Sequence, residues 1–193
     1  MLTYPTRVAG GAPSSFLALV VVDGPWRARL VEALPPRVRP LHAADVHVTL
    51  AFFGGVGPER ARAAFDAACS VSLAPMEARL GAVSPLGPEG RWTALSALLE
   101  DASAVADAMR AVQRVALPAA GVAEEMRAPL PHVTIARLHA KATPSEREAA
   151  VRWASATRAE GVLHLDRLAL YTGRRVKQPG EPAYEIFAER RLS

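Results

Sequence analysis

His47-Val48-Thr49-Leu50-Ala51 and His132-Val133-Thr134-Ile135-Ala136 are nearly the same five residues, written twice in one chain. In each, a His and a Thr stand two apart, with branched apolar residues between and after them. That period-two alternation marks a β-strand with one polar face. Side chains at i and i+2 share a face, so His47 lies beside Thr49 and His132 beside Thr134. Val48, Leu50, Val133 and Ile135 then point to an apolar side.

The surroundings repeat as well. Pro58 comes 11 residues after His47 and Pro144 comes 12 after His132, and each opens an acidic, alanine-rich helical pattern. A five-residue match alone is weak. The same strand followed by the same turn and helix points to internal duplication.

Composition bounds what the duplication can build. The chain has 193 residues, half of them hydrophobic, which suits one large domain or two small lobes sharing a core. Cys69 is the single cysteine, so no internal disulfide forms, and a reducing, cytoplasmic compartment is expected. It falls in a helical pattern and reads as a packing thiol. The apolar run Phe16–Val22 is too short for a membrane span and stops at Asp23. Without a basic region and cleavage site it is not a signal peptide but a buried strand, and no membrane partner is expected. The net charge is +4, with a local run at Arg174, Arg175 and Lys177. It permits an anionic ligand without requiring nucleic acid.

In chain order, residues 1–14 form a loose lead-in, and a strand covers 15–22. Asp23 caps a helix with Pro25 in its first turn, ending before Pro35-Pro36. A loop at 35–44 leads to the first motif strand at 46–53. A helix at 58–69 carries the apolar stripe Ala61, Ala64, Phe65 and Ala68, and a strand follows at 75–83. Residues 84–90 are turn material and the natural midpoint. Beyond it come a strand at 91–98, a helix capped by Asp101 and running to 116, and a connection at 117–130. The second motif strand is 131–139. Thr143-Pro144-Ser145-Glu146 spells a capping box opening a helix to 158. Strands at 162–171 and 183–189 flank a basic turn, although Asp166-Arg167 disturbs the alternation of the first.

This order predicts an α+β fold, bilobal and duplicated. Two antiparallel-rich sheets flank a central cleft, with helices on the outside. One domain spans 15–190, made of lobes near 15–84 and 90–190, with strand exchange between them allowed.

Two histidines on opposite walls of a cleft suit base and acid roles on one reacting group, because imidazole titrates near neutrality. Each Thr hydroxyl can donate to a phosphoryl oxygen as charge builds there. The set fits phosphodiester transfer without a metal. A metal site is the rival, but catalytic zinc asks for three protein ligands. Asp45 precedes His47 by two, whereas Leu130 and Pro131 stand in the corresponding places of the second copy. No metal or cofactor is expected. His42 and His139 can line the groove but lack repeat support, as does His164. Trp26, Trp92 and Trp153 read as packing. Strict alternation puts Phe53 on the His47 face, reaching the groove, and Phe52 in the core.

At these residues the chain resembles the 2H phosphoesterase superfamily, and within it the bacterial RNA 2′,3′-cyclic phosphodiesterases, historically called 2′-5′ RNA ligases. The paired His-x-Thr-x motifs carry the resemblance. It extends to Phe52-Phe53-Gly54 after the first and Ala136-Arg137 after the second, and to Phe16–Val21 early in the chain. In the tail it includes Leu168-Ala169-Leu170-Tyr171-Thr172, where the family has Ser at the last position, and Gly180 to Tyr184, one residue longer than usual. The resemblance implies a bilobal fold with one motif per lobe, and hydrolysis of RNA 2′,3′-cyclic phosphate ends to 2′-phosphomonoesters without a metal. It also implies reversal to a 2′-5′ linkage. His132 then activates water, His47 protonates the departing 3′ oxygen, and Thr49 and Thr134 hold nonbridging oxygens. Arg137 is five residues beyond His132, so an ideal strand places it on the opposite face. The family pattern implies a phosphate or RNA contact for it, which a bulge or the strand's end would permit. The expected partner is RNA with a cyclic phosphate end, or a small nucleotide, and the expected state is a monomer. Small cyclic nucleotides or ADP-ribose cyclic phosphate remain alternative substrates, and a non-catalytic RNA-end-binding module an alternative class.

Overall fold

A computed structural model describes residues 12–88, 90–176, 178 and 180–193. The lead-in expected at 1–14 therefore lies mostly outside the described residues, as does Lys177 of the basic run.

The first strand, β1 (Ser15–Val20), is buried along its whole length as a central strand flanked by its neighbours on both edges. Helix α1 (Pro25–Glu32) starts one residue later than expected: Gly24 is the N-cap, and Asp23 Oδ1 instead accepts from Gly24 N at 3.0 Å. The loop at 35–44 contains two elements that its sequence did not announce, the short strand β2 (Val38–Pro40) and a 3-10 turn at Ala43–Asp45. Three residues are too few to show a period. The first motif strand, β3 (His47–Gly54), and helix α2 (Pro58–Cys69) follow, the latter burying Ala61, Ala64, Phe65 and Ala68. Next come β4 (Met76–Leu86), β5 (Ala94–Glu100) and α3 (Ser103–Ala119). Asp101 does not cap α3. It adopts φ 50°, and Ala102 occupies the N-cap without a side-chain bond. The second motif strand is β6 (His132–Leu138), and α4 (Pro144–Ala156) opens with the full capping box of Thr143 and Glu146.

The disturbed alternation at Asp166 marks a change of sheet. The expected single strand is two: β7 (Val162–Leu165) pairs with β4, and β8 (Arg167–Gly173) pairs with β1 and with β9 (Tyr184–Arg191). The chain thus builds two antiparallel sheets, ordered β3-β1-β8-β9 and β2-β6-β5-β4-β7. Strands from both halves of the sequence enter each sheet. The motif strands β3 and β6 also touch each other, which brings the repeats together at the seam.

Leu17, Leu19, Leu168 and Leu170 on one face of the first sheet join α2, α3 and the second sheet in the main core. On the other face of the same strands, Phe16, Ala18, Val20, Ala169 and Tyr171 form a separate small cluster. Period-two alternation produces this division, and the second cluster becomes the floor of the site. Among the described residues, no helix is long and apolar enough to cross a membrane.

Candidate active site

Both motif strands carry a bulge at the same place. In β3, Thr49 pairs with Ala18 and Ala51 with Leu17, so Leu50 is the extra residue. In β6, Thr134 pairs with Ser96 and Ala136 with Leu95, so Ile135 is extra. An extra residue reverses the facing of every side chain beyond it. The two strands accordingly share one burial pattern, with positions one, three and six open and the others inward until the strand ends.

This overturns the expectation for Phe53. It is 5% exposed and sits in the main core, whereas Phe52 is 36% exposed and stacks toward Phe16 at 6.3 Å. The roles of the two rings are exchanged because alternation does not persist through Leu50. The same irregularity turns Arg137 onto the face of His132 and Thr134. Each bulge carbonyl has a donor: Gln113 Nε2 of α3 gives to Leu50 O at 2.8 Å, and Leu41 N gives to Ile135 O at 2.9 Å.

The two imidazoles are oriented identically. His47 Nδ1 lies 2.7 Å from Asp45 O, and His132 Nδ1 lies 2.7 Å from Leu130 O. A carbonyl only accepts, so each Nδ1 carries the hydrogen and the neutral ring keeps its lone pair on Nε2. His47 rests on the aromatic floor, 4.6 Å from Phe16 and 5.2 Å from Tyr171, with Tyr184 edge-on at 6.0 Å. Phe16 and Tyr171 stack nearly parallel at 5.2 Å.

Burial shapes the charge states. Desolvation lowers His47 from 6.5 to about 4, partly opposed by the bond to Asp45, with His132 and Arg137 adding repulsion. Desolvation also lowers His132, against the bond to Leu130. Both rings are therefore neutral at pH 7 and poised to accept protons. Burial pushes Tyr171 up to about 12, so its phenol stays neutral.

The threonines differ in support. Thr134 Oγ1 is 3.1 Å from Ser96 Oγ, and Ser96 is fully buried. Thr49 has Ala18 as its cross-strand neighbour and no such hydroxyl. Ser96, Gln113, Tyr171 and Tyr184 were not singled out as site residues from sequence. The signals that locate them are nonlocal: Ser96 pairs with Thr134 across β5 and β6, Tyr171 pairs with Phe16 across β8 and β1, Tyr184 enters beside β8, and α3 packs Gln113 on β3. His42 and His139 serve as turn caps, accepting from Ala44 N at 3.1 Å and Lys141 N at 3.2 Å. His164 is exposed and pairs with Glu77 at 2.8 Å. No group of three His, Cys, Asp or Glu side chains is placed to hold a metal among the described residues. A cavity of about 460 Å³ lined by Ser15, Leu170, Thr172 and Arg174 lies on the opposite face of the first sheet and contains neither motif histidine.

Two sheets meeting at a seam, with this connectivity, define a phosphoesterase fold. A crystal structure described as a phosphoesterase superposes with a TM-score of 0.70 at 18% identity, covering 94% of this chain and 99% of the other. Escherichia coli LigT complexed with 3′-AMP gives 0.69 at 19%, covering 94% and 98%. TT0787 of Thermus thermophilus gives 0.64 at 24%, covering 93% and 97%. The sequence profile of the 2′-5′ RNA ligase superfamily matches residues 24–177, and the chain belongs to that superfamily. No curated protein matches it in sequence.

Proposed function

We propose that this protein hydrolyses RNA 2′,3′-cyclic phosphate ends to 2′-phosphomonoesters without a metal, with His47 and His132 as its acid–base pair. The observation that carries the reading is the pair of imidazoles, each tied through Nδ1 to a carbonyl two residues back, beside Thr49, Thr134 and Arg137.

In this mechanism His132 Nε2 removes a proton from water as the oxygen attacks phosphorus. The bond from phosphorus to O3′ breaks, and His47 Nε2 delivers a proton to O3′. Thr49, Thr134 and Arg137 receive the charge on the nonbridging oxygens. His47 must first gain that proton, which its lowered pKa resists in the free protein. A bound phosphate anion offsets the repulsion from Arg137 and favours the imidazolium, so protonation is coupled to substrate binding. Run backwards, with an RNA 5′-hydroxyl in place of water, the same steps form a 2′-5′ linkage.

The test is turnover of an RNA ending in 2′,3′-cyclic phosphate in the presence of EDTA. A 2′-phosphate product is expected, and His47→Ala or His132→Ala should each cost about 10²–10⁴-fold. No turnover, or a 3′-phosphate product, would overturn the assignment. A parallel assay on 2′,3′-cyclic mononucleotides separates RNA ends from small substrates.

A further inference from the structure

We propose that Asp45 is a positioning residue that holds His47 and Tyr184 in working register; this deepens the acid–base reading above and rests on it. Asp45 is only 2% exposed, yet it carries a carboxylate that the reaction does not use. Such a group is stable in the interior only when its oxygens are satisfied. Here Ala183 N donates to Oδ2 at 2.7 Å and Tyr184 N donates to Oδ1 at 3.0 Å. Both amides lie at the entry to β9, 138 and 139 residues away in sequence. Hydrogen bonds from N–H groups to a carboxylate are stronger than neutral ones, so this joint is stiff.

The same residue meets the site through its main chain. Its carbonyl accepts from His47 Nδ1 at 2.7 Å, and so sets the ring's tautomer and angle. On the other side of the joint, the Tyr184 ring stands edge-on to Phe16 at 4.9 Å and to His47 at 6.0 Å. One buried carboxylate therefore ties the acceptor behind His47 to the aromatic edge beside it. The second repeat has no counterpart. His132 leans on the carbonyl of Leu130, whose side chain is exposed. The proposed proton donor is the more firmly braced of the two rings.

Without the carboxylate, the entry to β9 and the Asp45 carbonyl lose their mutual restraint. His47 then samples its other tautomer and other ring angles, while Phe52, Arg137 and Thr134 keep their own supports. The loss should fall on kcat and leave KM nearly unchanged.

The experiment compares the full-length wild type with Asp45→Ala and Asp45→Asn, reading kcat and KM on cyclic-phosphate RNA, ¹⁵N spectra of the His47 ring, and amide exchange at Ala183 and Tyr184. Wild type should show one Nδ1–H tautomer and two protected amides. Asp45→Ala should lower kcat by roughly 10–100-fold, the scale of a misplaced catalytic group, with a mixed tautomer. Asp45→Asn, with one acceptor oxygen left, should fall between. Wild-type kcat and an unchanged His47 spectrum in a folded variant would overturn the proposal, as would a change confined to KM. If Asp45→Ala does not fold, Asp45→Asn decides by the same criteria. If the wild type turns over no cyclic phosphate, the reaction assigned above fails, while the tautomer and amide exchange still judge Asp45.

Discussion

Phe52 and Arg137 occupy the same place in the two repeats: each lies five residues beyond its motif histidine and is turned outward by the bulge between. They differ in kind. One wall of the cleft offers an aromatic face, the other a guanidinium whose charge reaches His47.

Arg137→Ala should therefore do two things at once. It removes a cation suited to two phosphoryl oxygens, and kcat/KM should drop by about 10–100-fold, of the order expected when a charged hydrogen bond is lost. It also removes repulsion on His47, so the imidazole pKa of the free protein should rise from its value near 4. An NMR titration of His47 beside the kinetics checks both. Arg137→Lys keeps the charge but not the planar fork, and should restore the titration better than the rate.

The neighbouring phenylalanines separate stability from binding. Phe53 is a core ring, and Phe53→Ala should destabilise the fold by about 3–5 kcal/mol in denaturant unfolding. Phe52 borders the cleft, and Phe52→Ala should cost about 1 kcal/mol or less while raising KM for RNA. Equal losses of stability from the two substitutions would mean that the bulge at Leu50 is absent in solution.

The sequence made the motif strands and their helices legible because repetition and capping are local signals. His47, Thr49, His132 and Thr134 fall on their expected faces because they precede the bulges. Phe53 and Arg137 lie beyond them, where facing depends on a cross-strand register that one strand does not encode. A bulge needs two strands to define it. The link from Asp45 to Ala183 and Tyr184 was hidden for the same reason, since nothing local relates positions 138 residues apart. The split at Asp166 was visible as a broken alternation, but only the pairing of β7 with β4 and β8 with β1 gives that break its meaning.

Gln113 tests how the first bulge is held. Its side chain donates to Leu50 O, whereas at the second bulge the main chain of Leu41 donates to Ile135 O. Gln113→Leu leaves that carbonyl without its donor and should destabilise the protein by about 1–3 kcal/mol. As the strand relaxes, Phe52 loses its fixed aim and KM should rise more than kcat falls. Gln113→Lys retains a donor of similar reach and should recover much of both losses. A Leu variant with wild-type unfolding and kinetics would show that Leu50 O finds another donor.

Acid should weaken the fold in a window set by the histidines. His47 has a folded pKa of about 4 against 6.5 for the free side chain. Between those values the unfolded chain binds a proton that the folded chain refuses. Its contribution is complete above pH 6.5, is lost as pH falls through the window, and is gone below about 4. At about 1.36 kcal/mol per pH unit the loss from His47 is on the order of 3–4 kcal/mol at most, and His132 adds in the same direction. Glu125 and Glu146, held low by Arg127 and by the Thr143 N–H respectively, begin to lose their contributions only as pH falls below the free carboxyl value of 4.5. Urea unfolding at pH 7.5 and pH 4.5 should show the drop in the wild type and a smaller one in His47→Leu, which cannot titrate there. Parallel losses in the two proteins would place the acid sensitivity elsewhere. Inorganic phosphate should reduce the wild-type drop, because an anion in the cleft favours the imidazolium that burial disfavours.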